Sequence, residues 1–319
     1  MTDCKRIRFP AAVLALVMLL ILPAGCVSLP SADDGFTVIT TVFPAYDFTR
    51  QIAGEHADVS LLLPPGTESH AYEPTPLDII NIQNCDLFLC VGGESESWVD
   101  RILGSMDDGK GPHVLRMIDC VEAVEETVPD GAGIDGDHEE DHRHGSTETE
   151  YDEHVWTSPA NARQIAAAIA DTLQALDPEN SAAYQDNLTR YDAELAALDE
   201  DFRTFFASHE TTLVFGDRFP FRYFADAYGL TCYAAFPGCA SETEPSAATV
   251  VYLIDRVREL GLRKVYYIEF SNHVIADTIA RETGTETALF HSCHNVTAAE
   301  QQAGVTYISL MRANLAALS

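Results

Sequence analysis

Gly66-Thr67-Glu68-Ser69-His70-Ala71-Tyr72-Glu73-Pro74 follows the apolar run Leu61-Leu62-Leu63 and precedes a stretch with helical spacing. Pro64-Pro65-Gly66 supplies a tight turn between run and loop. That order of strand, turn, polar loop and helix predicts an α/β unit, with His70 at the mouth of a strand. In open α/β sheets, ligands bind beyond the carboxyl ends of the strands.

Outward from this stretch the pattern repeats. Strands are expected at 36–42, 58–63, 85–91 and 113–118, with helices at 46–53, 75–83 and 97–106. Such alternation implies βαβ units and mostly parallel sheets. Further on, Ser158 and Pro159 read as the cap and first-turn proline of a helix carrying Ile165, Ile169, Leu173 and Leu176 on one face. Tyr184, Leu188, Tyr191, Leu195, Leu198 and Phe202 then mark one continuous seam on a long helix over 179–208. A second α/β half follows, with strands at 212–216, 231–235, 264–270 and 287–290 and helices at 219–228, 246–260, 273–283 and 305–317. The predicted fold is therefore two Rossmann-like lobes, joined by one long rigid helix, with a cleft between their sheets.

Composition bounds the rest. The 319 residues carry a formal charge of −31, which excludes nucleic acid as a partner. Residues 1–25 read as an export signal, with Lys5, Arg6 and Arg8 ahead of an apolar run. Leu22-Pro23-Ala24-Gly25-Cys26 resembles a lipoprotein cleavage site, making Cys26 a lipidation candidate and 26–35 an anchoring linker. The remaining division is an N-terminal lobe at 36–178, the linking helix at 179–208 and a C-terminal lobe at 209–319. Export permits disulfides, and Cys232 with Cys239 would close a short loop, but Cys85 and Cys90 flank a strand and are expected as buried thiols. Within the first lobe, residues 121–153 hold thirteen acids, one arginine and His138, His142 and His144. No core can be built from this tract, so about 121–151 reads as an inserted loop offering weak sites for a divalent metal.

The chemistry-bearing residues collect at predicted strand ends. His70, His154 and His291, with a carboxylate from Asp217, Glu242 or Glu269, would make a nitrogen and oxygen site suited to zinc, and less specifically to manganese or iron. His294 is an alternative to His291, which would otherwise cap the turn at Asn295. Glu269 would otherwise cap the next helix, and Asp217 would pair with Arg222. His56, His113, His209 and His273 read as surface or strand-edge residues.

Thr40-Thr41-Val42-Phe43-Pro44-Ala45-Tyr46-Asp47-Phe48, the stretch from Leu63 to Pro74, Asp152-Glu153-His154-Val155-Trp156, Tyr223 to Leu230 and Glu242-Thr243-Glu244-Pro245-Ser246 carry a resemblance. With the acidic histidine-rich insertion, they resemble the zinc and manganese class of solute-binding proteins that feed ABC importers, a class that includes streptococcal lipoproteins first described as adhesins. The resemblance implies two α/β lobes joined by a rigid helix, bound Zn2+ or Mn2+, and a membrane permease as partner. It also implies a monomer, lipid-anchored to the outer face of the cell membrane or periplasmic, that is no enzyme. Carried over by position, the first two ligands fall on His70 and His154. The third falls on Arg218, which cannot bind a metal, and the fourth on His291. A carboxylate from Asp217, or from Glu242 or Glu269, would complete a three-histidine site, with Arg218 orienting it.

Two other readings stand beside it. An exported metallohydrolase would need an open coordination position and a general base such as Glu68 or Glu269; none of the predicted helices carries a His-Glu-x-x-His pair. In the other, Arg218 converts the pocket into a receptor for an anion or a metal chelate.

Overall fold

The computed structural model describes residues 35–68, 72–106, 111–131, 151–238 and 245–319. Cys26 and Cys239 lie outside them.

The first lobe is built from β1 (Phe36–Thr40), α1 (Phe43–Ala53), β2 (Ala57–Leu61), α2 (Pro76–Asn84), β3 (Leu87–Cys90), α3 (Ser97–Gly104) and β4 (His113–Arg116). Its strands are all parallel, in the order β2-β1-β3-β4. Each boundary has a local cause. Pro44 sits in the first turn of α1, where its missing N–H costs nothing, so the helix begins before Tyr46. Thr75 and Asp78 form a reciprocal capping box that opens α2. Between β2 and α2, Thr67 N donates to Pro64 O at 3.1 Å. Pro65 and Gly66, with φ +78° at the glycine, fill the two central positions of this turn in the type II pattern.

Ser158 caps α4 (Pro159–Leu176), which buries Ile165, Ile169 and Leu173, while Leu176 stays exposed. α5 (Ser181–Phe206) spans 26 residues, about 39 Å at 1.5 Å per residue. Five of the six seam residues are buried along it, with Leu188 packed at the margin.

The second lobe contains β5 (Thr212–Phe219), α6 (Arg222–Tyr228), β6 (Thr231–Pro237), α7 (Ala247–Leu260), β7 (Lys264–Tyr267), α8 (Val274–Thr283), β8 (Glu286–Leu289), α9 (Ala298–Ala303) and α10 (Tyr307–Leu318). The order β6-β5-β7-β8, again parallel, repeats the first lobe's topology. Two expectations are corrected here. β5 does not stop at residue 216: a register shift between Phe215 and Arg218 lets it resume and pair Phe219 with Pro237, so Asp217 and Arg218 lie within the strand. Arg222 pairs with Asp226, one helical turn away, and not with Asp217.

Residues 35–319 form one compact unit. Its largest core runs without interruption from Phe43 and Phe48 in the first lobe, through Tyr191, Leu195 and Phe202 on α5, to Phe215, Phe224 and Phe290 in the second. Cys85, Cys90 and Cys293 are buried free thiols. Asp47 on α1 is fully buried, and its Oδ2 accepts from Tyr307 N at the start of α10 at 2.8 Å. Burial pushes its pKa up to about 6.

A carboxyl whose folded pKa exceeds its unfolded value binds its proton more tightly when folded. Its contribution to stability is full below the unfolded value and is lost as pH rises through the folded one. For Asp47 that loss falls between about pH 4 and 6 and amounts to roughly 3 kcal/mol at most. An asparagine side chain would keep an acceptor for Tyr307 N without a charge. Asp47→Asn is therefore expected to flatten the fall in urea midpoint between pH 4 and pH 8. An equal slope in both proteins would show that Asp47 is already ionised at little cost.

Candidate metal centre

The two lobes meet at the carboxyl ends of their strands around a small pocket. Thr67, Glu68 and His154 from the first lobe face Arg218, Gly238, Glu269, Phe270, Ser292, His294 and Asn295 from the second. The space open to the centre of a water-sized sphere is about 20 Å³, room for a single ion or water.

His154 leads into α4 through a tight turn at Val155–Thr157 and is 1% exposed. Asp152 Oδ1 accepts from its backbone N–H at 2.8 Å and lies 3.0 Å from its Nδ1. With the ring proton facing that carboxylate, the neutral imidazole presents its Nε2 lone pair, the arrangement found behind metal-bound histidines. Burial opposes protonation of the ring, but Asp152, with Glu153 and Glu126 behind it, outweighs burial and raises the His154 pKa. Gly238 reaches this ring because it has no side chain: a Cβ there would stand 2.9 Å from Phe219 O and 3.4 Å from His154 Cε1.

The His154 and His294 rings stand perpendicular, with centroids 5.5 Å apart. Both lie against Trp156, whose ring centroid is 5.6 Å from His154 and 4.9 Å from His294. Trp156 Nε1 donates to Ser292 O at 2.8 Å, fixing the loop that carries His294. Glu269 fixes it from the other side, accepting from Ser292 N, Ser292 Oγ and His294 N. Its carboxylate is thus occupied by the loop after β8 and caps no helix. Arg218 turns its Nη2 to Glu68 Oε2 at 2.9 Å, an ion pair between the lobes.

The remaining sequence candidates stand elsewhere. His291, 3% exposed, lies behind the pocket lining: its Nδ1 accepts from Cys293 N at 2.8 Å, and its backbone is held by Asn314. Its Nε2 is buried without a hydrogen-bond partner among the described residues. Asp217 also lies behind, its oxygens taken by Arg218 N and Ile268 N. His70, Glu242, His138, His142 and His144 fall outside the described residues, and among those described no three His, Cys, Asp or Glu side chains converge to hold a metal. His56, His113, His209 and His273 are exposed, as expected. Trp156 and Asn295 were not singled out from sequence; Trp156 belongs to the segment around His154, whereas nothing local marks Asn295.

Two parallel-sheet lobes on one long helix, with imidazoles from both at a one-ion pocket beside the strand ends, are the architecture of the two-lobed solute-binding proteins. The family model for ZnuA, zinc-uptake complex component A, periplasmic, matches residues 38–319, and the chain belongs to this family. It is 35% identical over 294 residues to the high-affinity zinc uptake system protein ZnuA of Bacillus subtilis, covering 91% of this chain and 89% of that one. It is 32% identical over 297 residues to the zinc-binding lipoprotein AdcA of Streptococcus pneumoniae serotype 4, covering 92% of this chain. The chain spans only 57% of AdcA's length. The crystal structure of the Zn(II)-bound ZnuA-like domain of S. pneumoniae AdcA matches at a TM-score of 0.72 and 29% identity, over 89% of this chain and 97% of that one.

Proposed function

We propose that this protein captures Zn2+ outside the cell membrane, to which a lipid on Cys26 ties it, and delivers the ion to an ABC permease. In this reading it acts by binding and release, as a monomer, without covalent chemistry. The observation that carries the reading is the facing pair His154 and His294, one from each lobe, with the His154 ring oriented by Asp152. Nitrogen donors in a small pocket suit zinc better than manganese, which prefers oxygen. His70 follows the pocket-lining Glu68 by two residues in the sequence and completes the histidine set proposed here. His294 takes the place that spacing offered to His291, because its ring faces the pocket and the His291 ring does not.

A competitive titration of the chelator-stripped protein with zinc and manganese tests this, alongside His294→Ala and His291→Ala. One-to-one zinc binding is expected, stronger than manganese. His294→Ala should weaken it beyond the roughly 10–100-fold that loss of an outer partner costs, and His291→Ala by less. Failure of the parent protein to bind zinc would remove the reading, and loss in His291→Ala alone would return the ligand role to His291.

A further inference from the structure

Asn295 is 1% exposed and uses every hydrogen-bonding group of its side chain. Its Nδ2 donates to Pro64 O at 2.8 Å and to Thr67 O at 2.9 Å, the first and last residues of the Pro65-Gly66 turn. Its Oδ1 accepts from Val296 N at 2.8 Å, and Val296 O accepts from Gly66 N at 2.8 Å. Two successive residues after β8, in the second lobe, thus grip a turn of the first lobe at three points. The residues at and beside this grip are pocket walls on both sides: His294 immediately before Asn295, and Thr67, which ends the turn, with Glu68 after it.

The geometry points to Asn295 as a positioning residue for the metal site, setting the separation between the Thr67–Glu68 wall and His294. Few side chains fit the task. It requires two N–H donors aimed at two carbonyls and one acceptor turned back to the adjacent amide. Alanine takes the Nδ2 donor from both carbonyls, leaving Pro64 O only the turn's own bond from Thr67 N, and aspartate sets a carboxylate against two carbonyl oxygens. Phe43 N donates to His294 O at 3.1 Å, so the same loop is also tied to α1. Removing Asn295 therefore loosens the grip on the turn without releasing the whole loop.

This inference rests on the zinc-binding reading. Its test uses chelator-stripped protein with Zn2+ for affinity and Co2+ as a spectroscopic probe of ligand geometry, in Asn295→Ala, Asn295→Asp and Asn314→Ala. Asn314 is equally buried and bonds both the N–H and the carbonyl of His291, so it anchors the same loop away from the turn. Zinc affinity is expected to fall about 10–100-fold in Asn295→Ala and further in Asn295→Asp. The Co2+ absorption bands should shift in both, and in Asn314→Ala they should not. Parental affinity and an unshifted spectrum in Asn295→Ala overturn the inference, as does the same shift in Asn314→Ala. A parent protein that binds no zinc brings down the functional reading itself, and this inference with it.

Discussion

His154→Ala is expected to lose tight zinc binding altogether, while Asp152→Asn weakens it by about 10–100-fold. The two differ because the residues do different work. Among the described residues, His154 is the first-lobe imidazole on the pocket, and no other described nitrogen from that lobe replaces its Nε2. Asp152 touches Nδ1 and the His154 backbone, so its carboxylate fixes the ring's tautomer and tilt and makes Nε2 a better donor. The asparagine side chain still offers an oxygen, but without the charge that raises the basicity of the ring. Isothermal titration on chelator-stripped protein separates the two, with far-UV circular dichroism as the check on folding. Zinc bound as tightly by His154→Ala as by the parent would remove His154 from the site and leave Asp152 a purely structural role.

Trp156→Ala is expected to cost about 3–5 kcal/mol of folding stability, the range for deleting a large aromatic side chain from a packed core. Trp156 is fully buried at the join of the lobes. Its indole packs on both pocket imidazoles and its Nε1 holds Ser292 O. The hole left behind is walled by backbone tied down elsewhere: Tyr307 Oη donates to Trp156 O, and Glu269 holds the Ser292 amide. Such walls collapse poorly, which puts the cost toward the upper end of the range. Urea unfolding at constant pH measures it, and a loss under about 1 kcal/mol would mean that the surrounding loops close the cavity after all.

Much of this was legible in the sequence, and the departures have particular causes. The lobes, the long helix and the caps at Thr75 and Ser158 follow from local periodicity and from residues that stop or start a helix. α9 was missed because Ala298-Ala299-Glu300-Gln301-Gln302-Ala303 has no apolar stripe, although the box formed by Thr297 and Glu300 announces its start. The length of β5 was missed because its second half is restored by pairing with β6, a tertiary cause. Which of the His291 and His294 rings lines the pocket is the sharpest case. The four residues from His291 to His294 lie in an irregular loop, with no period from which a direction could be read. Their directions depend on a left-handed Cys293, with φ +63°, on Asn314 for His291, and on Trp156 and Glu269 for His294. Asn295 could not be found locally at all, since its partners lie 228 and 231 residues earlier.

The bond from Tyr307 to Asp47 joins residues 260 positions apart. Contacts so distant along the chain set the order in which the molecule can be made. The first lobe's sheet and α1 can gather early from neighbouring segments, but the Asp47 carboxylate keeps no backbone partner until α10 has been synthesised. A large loop must then close before that contact stabilises anything, which slows the final step of folding. The half-made protein is an α/β lobe with an open seam along α1 and α5, and α10 is the piece that seals it.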